Sequence, residues 1–332
     1  MDTTGSLANL SQSATSDPIT KETKPLLIAS ACILIVICFI GVVGNLFVIV
    51  AVLLSRRLHT ATNAFIVTLS CVDTLSALAL PFQAGALLGA ASNHQTPYIL
   101  VCEVVGALTC VVNFWSFSLL VIIAFNRYVV VTRPPQTQQN LFSPGKIAAV
   151  LVIVLGFPIL ILIIFLTVDR VHFGLFNHLC GVVKGAMFNY LFGACTLTSM
   201  AAMAFCYISI YMHVRDHVRK VGNSIRASTN SIRVRRDERR DLDQQITRNL
   251  FTVVLCYFVC LAPATVTFFT SIHPTLFVIF FLIMSVNYCL NPIIYAWRHP
   301  VFRKVFRCML TRRFEDVEDP SQWVRNMLTH ST

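Results

Sequence analysis

Seven apolar stretches, each long enough to cross a lipid bilayer, constrain this chain more than any other feature. They cover about 26–54, 62–90, 99–132, 146–168, 187–213, 246–271 and 274–297. A helix needs roughly 20 mostly apolar residues to span the hydrocarbon. Strands of a membrane barrel would be about 10 residues long with strict alternation, and these long unbroken runs do not have that form. The run from Lys146 to Val168 has no charge between its ends, and Asp73 is the one charge near mid-depth in the others. Charged residues make up only 12% of the chain, against about 25% in a typical soluble domain, so a water-soluble globule lacks the surface it would need. The expected fold is an all-α membrane protein, a seven-transmembrane helix bundle. Only His273-Pro274 separates the sixth run from the seventh, which makes those helices adjacent and antiparallel.

Basic residues orient the bundle. With the N-terminus outside, four of the 26 Lys and Arg lie outside and 22 lie inside, ten of them from Arg215 to Arg248 and seven beyond Trp297. Short loops rich in Lys and Arg stay cytoplasmic, so the N-terminus faces out and the C-terminus in. The formal charge of +11 is thus a topology signal that also suits anionic inner-leaflet lipid, and no separate feature points to nucleic acid. Three regions follow: an extracellular segment over 1–25, a transmembrane domain over 26–297, and a cytoplasmic amphipathic helix and tail over 298–332. The first segment is polar and rich in Ser and Thr, so the first helix is expected to act as its own insertion signal. In the tail, the apolar positions 301, 302, 305, 306, 309 and 310 share one helical face, the pattern of a short eighth helix on the membrane surface.

Nine of the twelve cysteines sit inside apolar runs, where a thiol is usually a small core residue. Cys102 and Cys180 both face the outside, and in that oxidising compartment a bond between them is expected, with two free thiols as the alternative. Cys308, on the amphipathic segment, is either a palmitoylation site or an unmodified buried thiol. Asn9-Leu10-Ser11 is a glycosylation sequon in the extracellular segment.

An ionisable group inside the membrane is a functional hypothesis by default. Asp73 has Asn45, Ser116, Asn287 and Asn291 as candidate company. Together they suit a sodium-ion and water site, or a structural hydrogen-bond network between helices, and both readings stand. Arg127, in Asn126-Arg127-Tyr128 at the cytoplasmic edge of the third run, either snorkels to headgroups or binds a carboxylate or carbonyls on a neighbouring helix; Asp243 is a candidate partner. Pro292, within Asn291-Pro292-Ile293-Ile294-Tyr295, breaks the seventh helix's ladder, and Asn291 is placed to recapture freed backbone groups.

Gly44-Asn45, Leu69-Ser70-Cys71-Val72-Asp73, Cys102, Asn126-Arg127-Tyr128, Tyr207, Pro263, Asn291-Pro292-Ile293-Ile294-Tyr295 and Phe302, in this order across seven runs, resemble the rhodopsin-like G-protein-coupled receptors. The resemblance covers residues 26 to about 310. It implies a receptor that catalyses nothing itself and promotes nucleotide exchange on a cytoplasmic heterotrimeric G protein. In that family the Arg127 position meets the G protein once the sixth helix swings out, and the Tyr207 and Tyr295 positions stabilise the open state. This chain departs from the family pattern at several points. Asn126 replaces an acid, Leu261 a tryptophan and Ser199 a proline, the fourth helix has no tryptophan, and Phe117 and Tyr257 replace the usual connector partners. Asn126 and Phe205-Cys206-Tyr207 are similar to melatonin-type receptors, whereas Asn291-Pro292 keeps the general form that those receptors alter.

The resemblance also places a ligand cavity at Gln83, Thr109, Cys110, Asn113, Cys195, Thr265, Phe268, Phe281 and Ser285, none of them charged. Thr109 stands where amine receptors carry an aspartate, and 274–297 contains no lysine for a retinal Schiff base. A neutral, largely apolar small molecule or lipid is the expected ligand. His94, His172, His178 and His273 in the outer loops read as solvated groups or as pH sensors. A transporter or channel is the alternative function; it would favour internal repeats and interrupted helices in matching positions. An intramembrane enzyme would need clustered nucleophile and base, or clustered metal ligands, and the runs lack them. No cofactor is expected beyond the sodium ion considered at Asp73.

Overall fold

A computed structural model describes residues 23–92, 99–168, 171–225, 255–317, 319–322 and 325 of the chain. Six helices are long and apolar enough to cross a membrane: α1 (Thr23–Leu54), α2 (Ala61–Ala91), α3 (Ile99–Thr132), α4 (Pro144–Thr167), α5 (Ala186–Ile225) and α7 (Pro274–Arg298). A shorter apolar helix, α6 (Leu255–Val266), is the seventh span. The amphipathic helix α8 (Pro300–Thr311) follows. α3 runs through the middle and touches α2, α4 and α5, while α1 packs on α2 and α7. Residues 1–22, with Asn9, and the segment containing Asp243 lie outside the described residues.

Burial departs from that of a soluble protein, because apolar side chains cover the outside as well as filling the core. Phe39, Val152 and Ile153 are 69%, 72% and 65% exposed, while Asp73, Gln83, Ser116 and Asn126 are fully enclosed. Apolar side chains facing outward and polar ones facing inward are what a bilayer solvent selects. Small residues set the closest approaches between helices. A Cβ on Gly44 would come within 3.0 Å of the Pro292 ring, and one on Gly41 within 3.0 Å of Ala77. On α8, Phe302, Val305 and Phe306 are buried while Arg303 and Arg307 are exposed. Phe306 meets Phe47 of α1 edge-on, and Phe302 stacks on Tyr295 of α7. These contacts fasten α8 under the bundle.

The structure differs from the sequence reading in four places. A short helix (Pro135–Leu141) forms in an inner loop, whereas the continuation of α5 to Ile225 is the helical extension expected at the start of the Arg215–Arg248 segment. α6 ends at Val266 and not near 271. Its last turn tightens through Thr267 N–H to Ala264 O, Phe268 N–H to Thr265 O and Phe269 N–H to Val266 O, the three-residue bonds typical of a helix end.

The third difference is the outer loop, which is a β-hairpin. β1 (His172–Phe176) pairs antiparallel with β2 (Leu179–Lys184). The two-residue turn between them places Asn177 and His178 at φ 47° and 70°, the left-handed geometry that matches hairpin twist. The fourth is on the inner side, where the tail returns to the end of α1. Ser321 N–H donates to Leu54 O at 2.8 Å and Arg56 N–H to Asp319 O at 2.9 Å. A helix end leaves carbonyls without partners, and the tail supplies one of the missing donors.

Candidate functional site

The buried polar groups form a column through the bundle. At mid-depth the Asp73 carboxylate accepts Ser116 Oγ–H at 3.1 Å on one oxygen and Asn291 Nδ2–H at 2.9 Å on the other. These bonds tie α2 to α3 and α7. Asn45 and Asn287, grouped with Asp73 in the sequence reading, are placed differently. Asn45 Nδ2 donates to Gly41 O at 2.9 Å and to Tyr288 O at 2.8 Å. Tyr288 lies four residues before Pro292, so its carbonyl is the one that proline deprives of a helix donor. The expected recapture by Asn291 is therefore corrected: Asn45 on a neighbouring helix supplies the donor, and Asn291 is committed to Asp73. The Asn287 amide nitrogen is buried and meets no partner among the described residues.

Toward the outside, the disulfide expectation is met: Cys102 at the head of α3 is bonded to Cys180 on β2. The hairpin enters the bundle mouth, with Leu179 and Cys180 only 1% and 5% exposed. Gln83 holds it there. Its Oε1 accepts Cys180 N–H at 2.7 Å, and its Nε2 donates to Cys180 O at 2.9 Å and, more weakly, to Thr109 Oγ1 at 3.5 Å. A Cβ on Gly106 would lie 3.1 Å from the Gly181 backbone, so the absence of a side chain there lets the hairpin seat.

Among the nine expected cavity positions, most of the polar atoms are already engaged. Asn113 Nδ2 donates to Thr109 O, and its Oδ1 accepts Tyr288 Oη–H at 2.9 Å. The Thr265 and Ser285 hydroxyls donate to Leu261 O and Phe281 O of their own helices. Cys195, Cys110 and Phe281 are half-buried. Phe268 packs at a tilt on Phe192, with ring centroids 4.7 Å apart, and Phe192 meets Phe114 edge-on at 4.5 Å. Sequence reasoning missed this aromatic cluster, which also takes in Phe117. The signal available was Gly193 beside Phe192: a Cβ there would come within 2.6 Å of Phe269 and 2.9 Å of Phe268.

At the inner end, the buried Asn126 accepts a short hydrogen bond from Thr62 Oγ1 at 2.5 Å. Arg127 makes no hydrogen bond or ion pair with any described residue, and Tyr207, Tyr295 and Tyr128 lie half-buried around the same end. His299 sits at the α7–α8 junction with its ring 5.1 Å from Phe302. Burial, and secondarily the Arg127 charge, push its imidazole down to about 4. In the outer hairpin, burial lowers the imidazole of His178 from its usual value. Burial, and then Asp316, raises the Cys308 thiol. The fourth helix, which lacks a tryptophan, is tied instead by Trp115 of α3, whose indole donates to Leu155 O at 2.8 Å beside the break made by Pro158. Among the described residues no group of three metal-binding side chains occurs.

A heptahelical membrane bundle with an outer disulfide-held hairpin, a mid-depth carboxylate network and a kinked last span is the architecture of a receptor. The chain belongs to the seven-transmembrane receptors of the rhodopsin family, whose pattern matches residues 44–295. It is a multi-pass membrane protein and not an enzyme, as that family is. It is 26% identical over 300 residues to somatostatin receptor type 4 of Rattus norvegicus, covering 85% of this chain and 72% of that one. It is 28% identical over 282 residues to melanin-concentrating hormone receptor 1 of Sus scrofa, covering 81% and 77%. The crystal structure of squid rhodopsin superimposes with a TM-score of 0.69 at 17% identity, over 89% of this chain and 88% of that one.

Proposed function

We propose that the chain is a plasma-membrane receptor that binds an extracellular ligand near the hairpin and activates a heterotrimeric G protein at its cytoplasmic face. The observation that carries this is that α7 is engaged by buried polar contacts at two successive levels, Asn113 and Asn45 on Tyr288 and then Asp73 on Asn291, on either side of the start of its kinked inner half. A ligand that shifts the outer contacts acts on the same helix that carries Tyr295 beside Arg127. The disulfide at one end and the basic residues at the other support an outside N-terminus and an inside C-terminus.

The part of the ligand that enters the bundle is uncharged. The cavity positions carry no ionic group, and the hairpin and Phe192–Phe268 cluster line the mouth with apolar surface. This is the neutral or lipophilic small-molecule reading. A second reading comes from the relatives, which are named for somatostatin and for melanin-concentrating hormone; a hormone of that kind would make its polar contacts on the outer loops. The relatives lend nothing to a melatonin-type ligand, for which Asn126 and Phe205-Cys206-Tyr207 are the supporting residues. The oxygen donors at Asp73 and Ser116 suit a sodium ion, and the same atoms serve the hydrogen-bond network. Cys308, half-buried on α8, suits palmitoylation.

The test is agonist-driven and constitutive G-protein activation by the full chain in cells, read by biosensors for several G-protein classes against lipid, small-molecule and hormone panels. Arg127→Ala, at matched surface expression, is expected to abolish the response. Unaltered signalling by that variant removes Arg127 from the role given to it, and ligand-dependent flux in proteoliposomes favours the transporter alternative.

A further inference from the structure

Below the Asp73 network, α3, α5, α6 and α7 enclose a cavity lined by Leu120, Met203, Tyr257, Asn287, Asn291 and Ile294 among others. It has room for about one water molecule. Two of its polar atoms are orphans. Tyr257 is 3% exposed and Asn287 4% exposed, yet neither the Tyr257 hydroxyl nor the Asn287 amide nitrogen meets a hydrogen-bond partner among the described residues. One stands on α6, the other on α7. Asn291, on the same wall, donates its amide nitrogen to Asp73, and its amide oxygen takes no hydrogen bond from a described side chain.

Packing does not account for the Tyr257 hydroxyl, because a phenyl ring would fill the same space without an unpaired polar group. Buried polar atoms are otherwise nearly always partnered, by protein or by ordered water. A cavity holds water when two to four polar groups converge on it, and stays dry when its walls are purely apolar. Here three polar groups from two helices converge on a space of the right size.

We propose that this cavity is a binding site for one internal water. The water accepts hydrogen bonds from the Tyr257 hydroxyl and the Asn287 amide nitrogen, and donates to the Asn291 amide oxygen. The bridge extends the Asp73 network onto α6, which has no direct hydrogen bond to it among the described residues, and makes Tyr257 a latch between α6 and α7. It does not depend on the ligand or on the G-protein coupling proposed above.

The water reading and a dry cavity give opposite signs in one experiment. Apparent thermal midpoints are measured on purified full-length receptor carrying Tyr257→Phe, Asn287→Leu or both. A bridging water predicts that Tyr257→Phe lowers the midpoint by several degrees and that the double variant falls no further than the worse single. A dry cavity predicts that Tyr257→Phe raises the midpoint, because it removes an unpaired buried hydroxyl; that rise, or simple additivity of the two changes, overturns the proposal. If either variant fails to accumulate, an experimental map of the native receptor decides. Ordered water density within hydrogen-bond reach of both atoms supports the bridge, and an empty or collapsed cavity refutes it.

Discussion

At the residue scale, the inner end of α3 shows what one substitution does to a network. In the family pattern an acid precedes the arginine and restrains it; here Asn126 accepts from Thr62 and leaves Arg127 without an anion among the described residues. Asn126→Asp keeps the acceptor for Thr62 and restores the anion. The new carboxylate would be enclosed and the guanidinium half-buried, so desolvation offsets much of the attraction; a net gain of about 1 kcal/mol would lower basal G-protein signalling about fivefold at matched surface expression. Unchanged basal output in that assay would mean Arg127 is restrained by something else. His299 offers a second residue-scale prediction. Its imidazole titrates at its ordinary 6.5 in the unfolded chain and at about 4 in the fold, through burial and then Arg127. The unfolded state therefore takes up the proton first as pH falls, and the receptor should lose stability between pH 6.5 and 4. In thermal unfolding scans across that window, His299→Gln should flatten the slope.

At the element scale, the outer hairpin is the part of the fold least visible in the sequence and lies at the mouth where ligand binding is proposed. The strands alternate only weakly, and the turn residues Asn177 and His178 are not the usual glycine-containing pair, so the loop could be read only as a segment tied down by Cys180. What seats it is Gln83, whose amide pairs with both backbone groups of Cys180. Gln83→Leu strips partners from a buried N–H and C=O, a loss of about 1–3 kcal/mol. Hydrogen exchange should then speed up across Leu179–Lys184 while the disulfide stays intact. Protection equal to wild type would show that Gly106 packing and the disulfide seat the hairpin without Gln83. The return of the tail to α1 escaped sequence reasoning for a related cause. Its shortest contacts are backbone hydrogen bonds from Ser321 and Arg56, which no side-chain pattern announces; the Arg56 guanidinium adds a longer bond to Gln322 Oε1.

At the scale of the whole molecule, Asp73 is where three helices meet. A cation held by its carboxylate would compete with the donors from Ser116 and Asn291, so sodium and the helix arrangement are thermodynamically linked if sodium binds there. Replacing sodium by a large organic cation should shift agonist affinity several-fold in the native receptor and leave Asp73→Asn indifferent. An identical shift in both would place any sodium effect elsewhere.

The membrane class, the seven spans, the amphipathic eighth helix and the disulfide were all legible in the residues, because each depends on local composition, length or compartment. Asp73, Ser116 and Asn291 were legible as a group because a polar side chain inside the hydrocarbon must find a partner. Which partner it finds depends on helix rotation and depth, and these come from packing between distant segments. Only the tertiary structure therefore showed Asn45 on the Tyr288 carbonyl, Asn126 on Thr62, Gln83 on Cys180 and Trp115 on Leu155. The sequence by itself determined that this chain crosses a membrane seven times around a sparsely polar interior, since transfer of apolar surface out of water is a property of each run alone. The pairing of the few polar groups in that interior was decided by tertiary contact, since a hydrogen bond requires two groups to meet at about 3 Å.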